Sequence, residues 1–189
     1  MRLIVLGAGL YQVPLINKAR EIGCETYVVS IPGNYPGFDV ADHVEFLDTR
    51  DAEGILRLAR AIKADGITTT GTDVAIRSLG YVCDSLGLCG VNEHAARLLT
   101  DKSLMKSAFS SKVPTSDFRT VTTMEEASEA CEELGFPVMV KAVDVSGSRG
   151  VSKVEGWADL SSAFSEAQLS SNTDHIVIES YVSGREIGV

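Results

Sequence analysis

Apolar residues in the first part of the chain follow two alternating patterns. Residues 3–6 form a short apolar run that ends at Gly7, and the apolar residues after it recur at three- and four-residue spacing up to Ile22. A short run followed by helical spacing is typical of a strand and then an amphipathic helix. Residues 25–30 predict a second strand, and this order predicts parallel strands joined by a right-handed crossover.

The same alternation continues to about residue 95. Further strands are predicted at residues 43–47, 66–70 and 88–91, and helices at residues 51–63, after Asp73 and from Asn92 to Leu99. We interpret Asp73 as the cap of its helix. Residues 31–42 contain two prolines and two glycines, which predict a long irregular loop. Residues 1–95 are therefore predicted to form a doubly wound α/β domain with a mostly parallel sheet.

The pattern changes after Thr100. Helices are predicted at residues 101–111, 123–134 and 157–168, and strands at residues 118–121, 137–140, 151–154 and 175–179. Thr123 and Glu126 have the spacing of a capping box, which marks the start of the second of these helices. From residue 118 onward the order is β-α-β-β-α-β, which predicts a smaller α+β lobe with an antiparallel sheet and both helices on one face.

Charge limits the classes of partner. The 189 residues carry a formal net charge of −9, and no long basic run interrupts the sequence. Binding to nucleic acid requires a clustered cationic surface, so nucleic acid is excluded as an expected partner. A local anion site remains compatible with the global charge, because a few lysines and arginines in a cleft can oppose it.

The cysteines and histidines do not form a metal-binding or redox pattern. The four cysteines contain no CxxC pair and the three histidines are scattered, so a zinc site or a thioredoxin-like motif is not predicted. We expect all four cysteines to be reduced, mostly packed thiols. No apolar run approaches the roughly 20 residues that span a bilayer, and no signal peptide is recognisable. A cytoplasmic location, with no membrane partner, is the resulting expectation.

Residues 7–12, GAGLYQ, match the first two-thirds of the dinucleotide fingerprint GxGxxG. The third glycine is replaced by Gln12, which is too large for the close packing of helix on strand that this position requires. An acidic residue at the end of the second strand is also missing. The glycines then serve either as a tight turn beside a small-molecule site at the carboxyl ends of the strands, or as a purely structural turn.

A lysine and a loop of small residues suggest a phosphate site in the second half. Lys141 ends an apolar run, and the loop Ser146-Gly147-Ser148-Arg149-Gly150 follows before the next strand. The ammonium group supplies charge, and small residues let backbone N–H groups approach a phosphate. A Walker P-loop requires GxxxxGK[ST] and a following helix, and neither is present. The loop therefore caps a hairpin; a flexible surface turn is the alternative.

Two further segments bear on nucleotide binding. Asp101-Lys102 opens a helix, whose N-terminus attracts anions; the alternative is a solvated helix cap. Residues 176–186 contain an apolar strand that ends in Glu179, followed by irregular backbone and a second carboxylate, Glu186. Exposed backbone after such a strand can pair with an adenine edge, and a carboxylate suits ribose hydroxyls. The alternative here is a charged hairpin turn.

The three spaced segments together resemble the ATP-grasp superfamily, with the closest likeness to carbamoyl phosphate synthetase-like and biotin carboxylase-like members. The matching residues are 100–106 with 113–115, 137–142 with 146–151, and 179–182 with 184–186. The first half is similar to the pre-ATP-grasp, Rossmann-like domain that precedes this module. The resemblance implies a pre-ATP-grasp domain at residues 1–95, followed at residues 96–189 by linker helices and the small ATP-grasp lobe.

The resemblance also implies roles for individual residues. Lys102 and Lys141 would contact ATP phosphates, and Ser146, Gly147, Ser148, Arg149 and Gly150 would form a mobile flap that we expect to be poorly ordered. Glu179 and the backbone of Tyr181 and Val182 would border adenine, and Glu186 would bind ribose. Substrate residues would be Gly7, Gly9, Gln12, Thr72 and Asp73. The Mg²⁺ ligands would lie beyond Val189, so no metal ligand and no catalytic residue is assigned here.

The implied function is that of an ATP-dependent ligase that activates a small carboxylate as an acyl phosphate for attack by an amine or related nucleophile. Residues 186–189 begin an apparent strand, so we interpret the chain as an N-terminal fragment that is inactive alone. Two alternatives remain: a non-catalytic ATP sensor and an NAD(P)-binding Rossmann oxidoreductase. The sequence leaves open whether the protein forms a homodimer.

Overall fold

The computed structural model describes residues 1–185 and residue 187. Within it the chain divides into two units, Met1–Arg97 and Leu98–Val189, called unit 1 and unit 2 below.

Unit 1 contains a four-stranded parallel sheet in the order β3-β2-β1-β4. Its strands are β1 Arg2–Leu6, β2 Glu25–Ser30, β3 His43–Phe46 and β4 Gly66–Thr68. Its helices are α1 Val13–Glu21, α2 Pro36–Asp39, α3 Ala52–Ile62, α4 Ile76–Leu86 and α5 Glu93–Thr100, which extends past the unit boundary. Separate apolar clusters form where α1 and α2 and where α3 and α4 pack on the sheet. The predicted doubly wound α/β fold is confirmed.

The strand predicted at residues 88–91 is wrong. The Leu88 N–H donates to the Cys83 carbonyl at 2.9 Å, and the Glu93 N–H donates to Asp84 Oδ2 at 2.8 Å. These bonds close the end of α4 and lead directly to α5. Because the segment bonds to the neighbouring helix, the sheet ends at β4.

Two local predictions in unit 1 also need correction. The loop predicted at residues 31–42 contains the short helix α2, which begins at Pro36, where the fixed φ of proline suits the first turn. The predicted cap of α4 by Asp73 is wrong, because the N-cap residue is Ala75 and no side chain caps that helix. Asp73 contributes only its backbone carbonyl, which accepts from the Ile76 N–H at 3.2 Å.

Unit 2 contains a four-stranded antiparallel sheet in the order β5-β8-β6-β7. The strands are β5 Phe118–Val121, β6 Val138–Ala142, β7 Val151–Val154 and β8 Ile176–Ser180, and the helices are α6 Lys102–Phe109, α7 Met124–Leu134 and α8 Trp157–Ser170. Both α7 and α8 pack in one apolar cluster on one face of this sheet, as predicted. The capping box predicted at Thr123 and Glu126 is present.

The cysteines differ in exposure. Cys24, Cys83 and Cys131 are buried, as expected, whereas Cys89 is exposed, so the prediction of packing does not hold for it. Burial is the main cause that raises the pKa of the Cys83 and Cys131 thiols.

Among the residues described, none of the helices combines the length and apolar character needed to cross a membrane.

Candidate functional site

The face of the unit 2 sheet opposite α7 and α8 carries the charged residues of interest. In β6 the side chains of Val138, Val140 and Ala142 are fully buried in the core, so the alternation of a strand places Lys141 on the other face. In β8 the core residue Ile178 precedes Glu179 in the same way. Strands β6 and β8 are hydrogen-bonded neighbours, so Lys141 and Glu179 meet on one face.

Two ammonium groups share the Glu179 carboxylate. Lys141 Nζ donates to Glu179 Oε1, and Lys106 Nζ lies 2.8 Å from Glu179 Oε2. These side chains are 24%, 13% and 11% exposed for Lys141, Lys106 and Glu179, so the group is largely removed from solvent. We call Lys106, Lys141 and Glu179 the lysine–glutamate cluster. With two cations and one anion, it has a net positive charge in an otherwise acidic chain.

The ionisation of Glu179 follows from its surroundings. Burial acts to raise the pKa of this carboxyl, but the hydrogen bonds and charges of Lys106 and Lys141 outweigh burial, and the pKa is lowered. Glu179 therefore stays ionised at neutral pH and holds both ammonium groups in fixed positions.

The role of Lys106 was not predicted from the sequence. Besides Glu179, its Nζ contacts Thr115 Oγ1 at 2.9 Å, Ser116 Oγ at 2.6 Å and the Ser116 carbonyl at 3.2 Å. One signal was available, since Lys106 lies four residues after Lys102 and therefore on the same face of α6. That spacing alone could not show that Lys106 reaches the carboxylate of Glu179.

Lys102, the first residue of α6, contacts the segment that leads into the loop Ser146–Gly150. Its Nζ donates to the Val145 carbonyl at 2.5 Å, and its backbone N–H donates to the Val143 carbonyl at 2.9 Å. Asp101 caps α6 by accepting from the N–H groups of Ser103 and Leu104, as its sequence position suggested. The helix that carries Lys102 and Lys106 is thereby tied to the loop that follows Lys141.

The loop from Ser146 to Gly150 forms a tight turn between β6 and β7, so the predicted hairpin is present. Gly147, Ser148 and Gly150 have φ values of +70°, +59° and +59°. Arg149 Nε donates to the Ser146 carbonyl at 3.2 Å within the turn. The exposed tip thus combines the small residues Gly147 and Ser148 with Arg149, and small residues let backbone N–H groups approach a phosphate.

Asp144 fixes the base of this loop. Its carboxylate accepts from Ser171 Oγ at 2.6 Å and from the Asn172 N–H at 3.1 Å. Burial acts to raise the Asp144 pKa, but these hydrogen bonds outweigh it and lower the pKa. The loop is thus anchored to the segment that joins α8 to β8.

Replacing Gly150 by alanine tests how closely the hairpin packs. A Cβ at this position would lie 2.7 Å from Ser170 Cβ and 3.0 Å from Ala142 Cβ, and the positive φ adds backbone strain. We expect Gly150→Ala to lower the free energy of unfolding by about 2–3 kcal/mol, measured by urea denaturation. Gly147→Ala is the matched control, because its φ is also positive but nothing lies within 4 Å of its Cβ position. Equal losses for both variants would contradict the packing argument.

Tyr181 and Val182 follow β8 directly, next to Glu179. The Tyr181 N–H donates to the Pro137 carbonyl at 3.1 Å, and its ring lies 4.1 Å from Lys153 Nζ. Val182 is exposed. Glu186, predicted to bind ribose, lies outside the described residues.

The candidate substrate residues form a second group, in unit 1. The buried Gln12 side chain donates through Nε2 to the Thr70 carbonyl and lies over Gly7 and Gly9, whose Cβ positions would be 3.1 Å from it. Gln12 thus joins the loop after β1 to the loop after β4, which contains Thr72 and Asp73. Its amide occupies the space above the glycine turn, which is unfavourable for a dinucleotide pyrophosphate.

The described residues do not fit a metal site. No group of three or more His, Cys, Asp or Glu side chains that could hold a metal ion occurs among them. Glu179, the acidic residue of the cluster, is paired with two ammonium groups, which makes its surroundings unfavourable for a cation.

In unit 2 an antiparallel sheet carries a small-residue hairpin and clustered lysines, and in the sequence this unit follows a doubly wound α/β unit, an arrangement that resembles the ATP-grasp type. Residues 106–189 match the family described as D-ala D-ala ligase C-terminus. The formate-dependent phosphoribosylglycinamide formyltransferase of Cupriavidus metallidurans is 27% identical over 188 residues, which cover 96% of this chain and 47% of that protein. The chain thus spans about half the length of the curated relatives it matches.

Solved structures are similar to this chain over nearly its whole length. Phosphoribosylglycinamide synthetase from Anaerococcus prevotii superposes with a TM-score of 0.71 at 30% identity, covering 97% of this chain and 46% of that one. The biotin carboxylase domain of the Hydrogenobacter thermophilus 2-oxoglutarate carboxylase, solved as a dimer with MgADP and bicarbonate, gives a TM-score of 0.80 at 22% identity, covering 96% and 44%. At that identity the second match concerns the fold. The resemblance to the ATP-grasp superfamily found in the sequence is thus confirmed, by the family model over residues 106–189 and by the relatives over nearly the whole chain.

Proposed function

We propose that this chain is the N-terminal part of an ATP-dependent ligase that activates a carboxylate for attack by an amine, with ATP bound on the open face of unit 2. The observation that carries the proposal is the lysine–glutamate cluster next to the Ser146–Gly150 turn. It concentrates positive charge in a chain whose formal net charge is −9. Local cations of this kind attract polyphosphate despite the global charge.

Each part of the cluster has a separate task in this proposal. Lys141 supplies a partly exposed ammonium group to the phosphates, and Lys102 brings a second one to the loop. Lys106 is more enclosed, and its contacts with Thr115 and Ser116 fix its position relative to Glu179. Backbone N–H groups of the turn would add donors for phosphate oxygens. The exposed backbone at Val182 would border the base.

The proposed reaction has two displacement steps. A carboxylate oxygen attacks the γ-phosphorus of ATP and ADP leaves, which gives an acyl phosphate. The amine nitrogen then attacks the acyl carbon, phosphate leaves, and the amine loses a proton. The protein contribution to such steps is mainly positioning and charge neutralisation. Mg²⁺ would neutralise phosphate charge in this chemistry, but we assign no step to it, because the described residues do not form a metal site.

The sequence left two alternative functions open, an oxidoreductase and an ATP sensor, and the structure disfavours only the first. An NAD(P)-dependent oxidoreductase is disfavoured by Gln12, whose side chain covers the glycine turn. A non-catalytic ATP sensor would use the same cluster and would differ only in the remainder of the protein. The comparisons support the ligase, since the similar proteins include a synthetase and a formate-dependent formyltransferase, and formate is a carboxylate.

Isothermal titration calorimetry of the 189-residue chain tests the proposal. We expect MgATP to bind and NADH to give no heat at the same concentrations. Tripolyphosphate should compete with MgATP, because the cluster recognises phosphates. Binding of NADH with no response to MgATP would overturn the proposal.

A further inference from the structure

The segment between α4 and α5 packs closely on α4. A Cβ on Gly80 of α4 would lie 2.6 Å from the Ala96 Cβ of α5, and a Cβ on Gly90 would lie 2.7 Å from Cys83 Sγ. The Leu88 N–H donates to the Cys83 carbonyl at 2.9 Å. Because this bond turns the chain back toward Cys83, and Gly90 has no side chain, the segment lies directly against the sulfur of Cys83.

A second cysteine lies in this segment. Cys89 follows Leu88 directly and is exposed, whereas Cys83 is only 2% exposed. Burial raises the pKa of the Cys83 thiol, and the negative charges of Asp84 and of the Cys89 thiolate raise it further. Since the charge of Cys89 acts on Cys83 through space, the two thiol groups are close enough to interact. An oxidant in solution therefore meets Cys89 first, with Cys83 as a second thiol beside it.

The segment that carries Cys89 is tied down at both ends. Besides the bond of Leu88, the Glu93 N–H donates to Asp84 Oδ2 of α4 at 2.8 Å. Between these bonds residues 88–92 form neither helix nor strand, so Cys89 can turn toward Cys83 without breaking a sheet. A disulfide requires two cysteines that the fold holds close together in this way.

We propose that Cys83 and Cys89 form a reversible disulfide when the protein meets a peroxide, which makes this pair an oxidation site of unit 1. With hydrogen peroxide, the Cys89 sulfur attacks one oxygen, the O–O bond breaks and water leaves, which gives a sulfenic acid. The Cys83 sulfur then attacks the Cys89 sulfur, the S–O bond breaks, and the hydroxyl leaves as water with the thiol proton. The two thiols lose two electrons, and one peroxide is reduced to two waters.

The disulfide protects the exposed thiol. A sulfenic acid without a neighbouring thiol is oxidised further to the sulfinic acid, which is irreversible in most proteins, whereas a disulfide is restored by thiols. The bond would also join the turn between α4 and α5 covalently to Cys83, which belongs to the core of unit 1. This inference is independent of the proposed ligase function.

Peptide mapping of the peroxide-treated chain tests the assignment. The reduced chain is treated with a small molar excess of hydrogen peroxide, alkylated with iodoacetamide in urea, and digested with a protease that cleaves after Asp84, which separates the two cysteines. We expect a linked pair of peptides that dithiothreitol separates. Alkylation of Cys83 and Cys89 should each fall about tenfold relative to the untreated chain, since a disulfide sulfur does not react as a thiolate.

Cys131 is the internal control, because it is also buried, with a raised pKa, in the core of unit 2. Its alkylation should stay unchanged. Cys89→Ser is the matched variant, since Cys89 is exposed and its replacement leaves the core intact. In this variant Cys83 should remain fully alkylated after the same peroxide treatment.

Three results would overturn the inference. The first is a sulfinic acid at Cys89, or its linkage to a second chain, while Cys83 is still alkylated. The second is an equal loss of Cys83 alkylation in Cys89→Ser, because Cys83 would then be oxidised without its partner. The third is full alkylation of both cysteines in the treated, unaltered chain.

Discussion

Replacing Lys141 by alanine is expected to lower the affinity for MgATP about 10- to 100-fold, because a charge-assisted contact with phosphate is lost. Lys141 is the most exposed member of the lysine–glutamate cluster and lies next to the hairpin. The fold should persist, since Glu179 keeps its ion pair with Lys106 at 2.8 Å. Calorimetric titration of both proteins measures the change.

Lys18→Ala is the matched control for this loss of one positive charge. Lys18 forms an exposed ion pair with Glu21 in α1 at 2.8 Å, far along the sequence from the cluster. We expect its MgATP affinity to equal that of the unaltered chain. An unchanged affinity in Lys141→Ala, or an equal decrease in both variants, would contradict the assignment of Lys141 to phosphate.

Glu179→Gln is expected to lower the free energy of unfolding at pH 7 by about 2–3 kcal/mol, because it leaves two neighbouring ammonium groups without a counter-charge. The glutamine oxygen still accepts one hydrogen bond, and the lysines keep some contact with solvent, which limits the loss. Urea denaturation monitored by circular dichroism measures it.

The pH dependence of this loss separates charge from packing. The folded-state pKa of Glu179 lies below its ordinary value of 4.5, so the carboxylate stabilises the fold above that value. This contribution is lost as pH falls from 4.5 through the lowered pKa. The difference between the unaltered chain and Glu179→Gln should therefore stay constant from pH 7 to pH 5 and shrink in more acidic solution.

Glu133→Gln provides the control, since the same change is made in the ion pair with Arg119, whose two side chains are 56% and 45% exposed. Exposed pairs contribute at most about 1 kcal/mol, so this variant should lose much less stability. A difference for Glu179→Gln that does not vary with pH would show that packing, and not charge, causes its loss.

The sequence predicted most of the fold because its signals are local. Thr123 and Glu126 form the predicted capping box, and the short apolar run at residues 137–140 predicted the strand found as β6, Val138–Ala142. The strand predicted at residues 88–91 failed because a strand needs a partner strand, and a short apolar run does not specify one. Leu88 instead bonds back to Cys83, near the end of α4.

Only part of the candidate site was predictable, because local sequence signals do not show which elements pack together. Lys141, the glycine turn and Glu179 were recognisable from spacing and composition. That Lys106 shares Glu179 with Lys141 depends on the pairing of β6 with β8 and on the position of α6, which the sequence does not show. The resemblance implies that Glu179 borders adenine, which stays a prediction, and the structure adds that two lysines hold its carboxylate.

Mapping MgATP on the ¹⁵N-labelled chain by NMR shows which unit binds ATP. We expect MgATP to shift amides at residues 102–106, 141–150 and 179–182 and to leave those at residues 7–12 unchanged. These shifts should vanish in Lys141→Ala at the same ATP concentration. Shifts confined to residues 7–12, or no shifts at saturating MgATP, would contradict the assignment of ATP to unit 2.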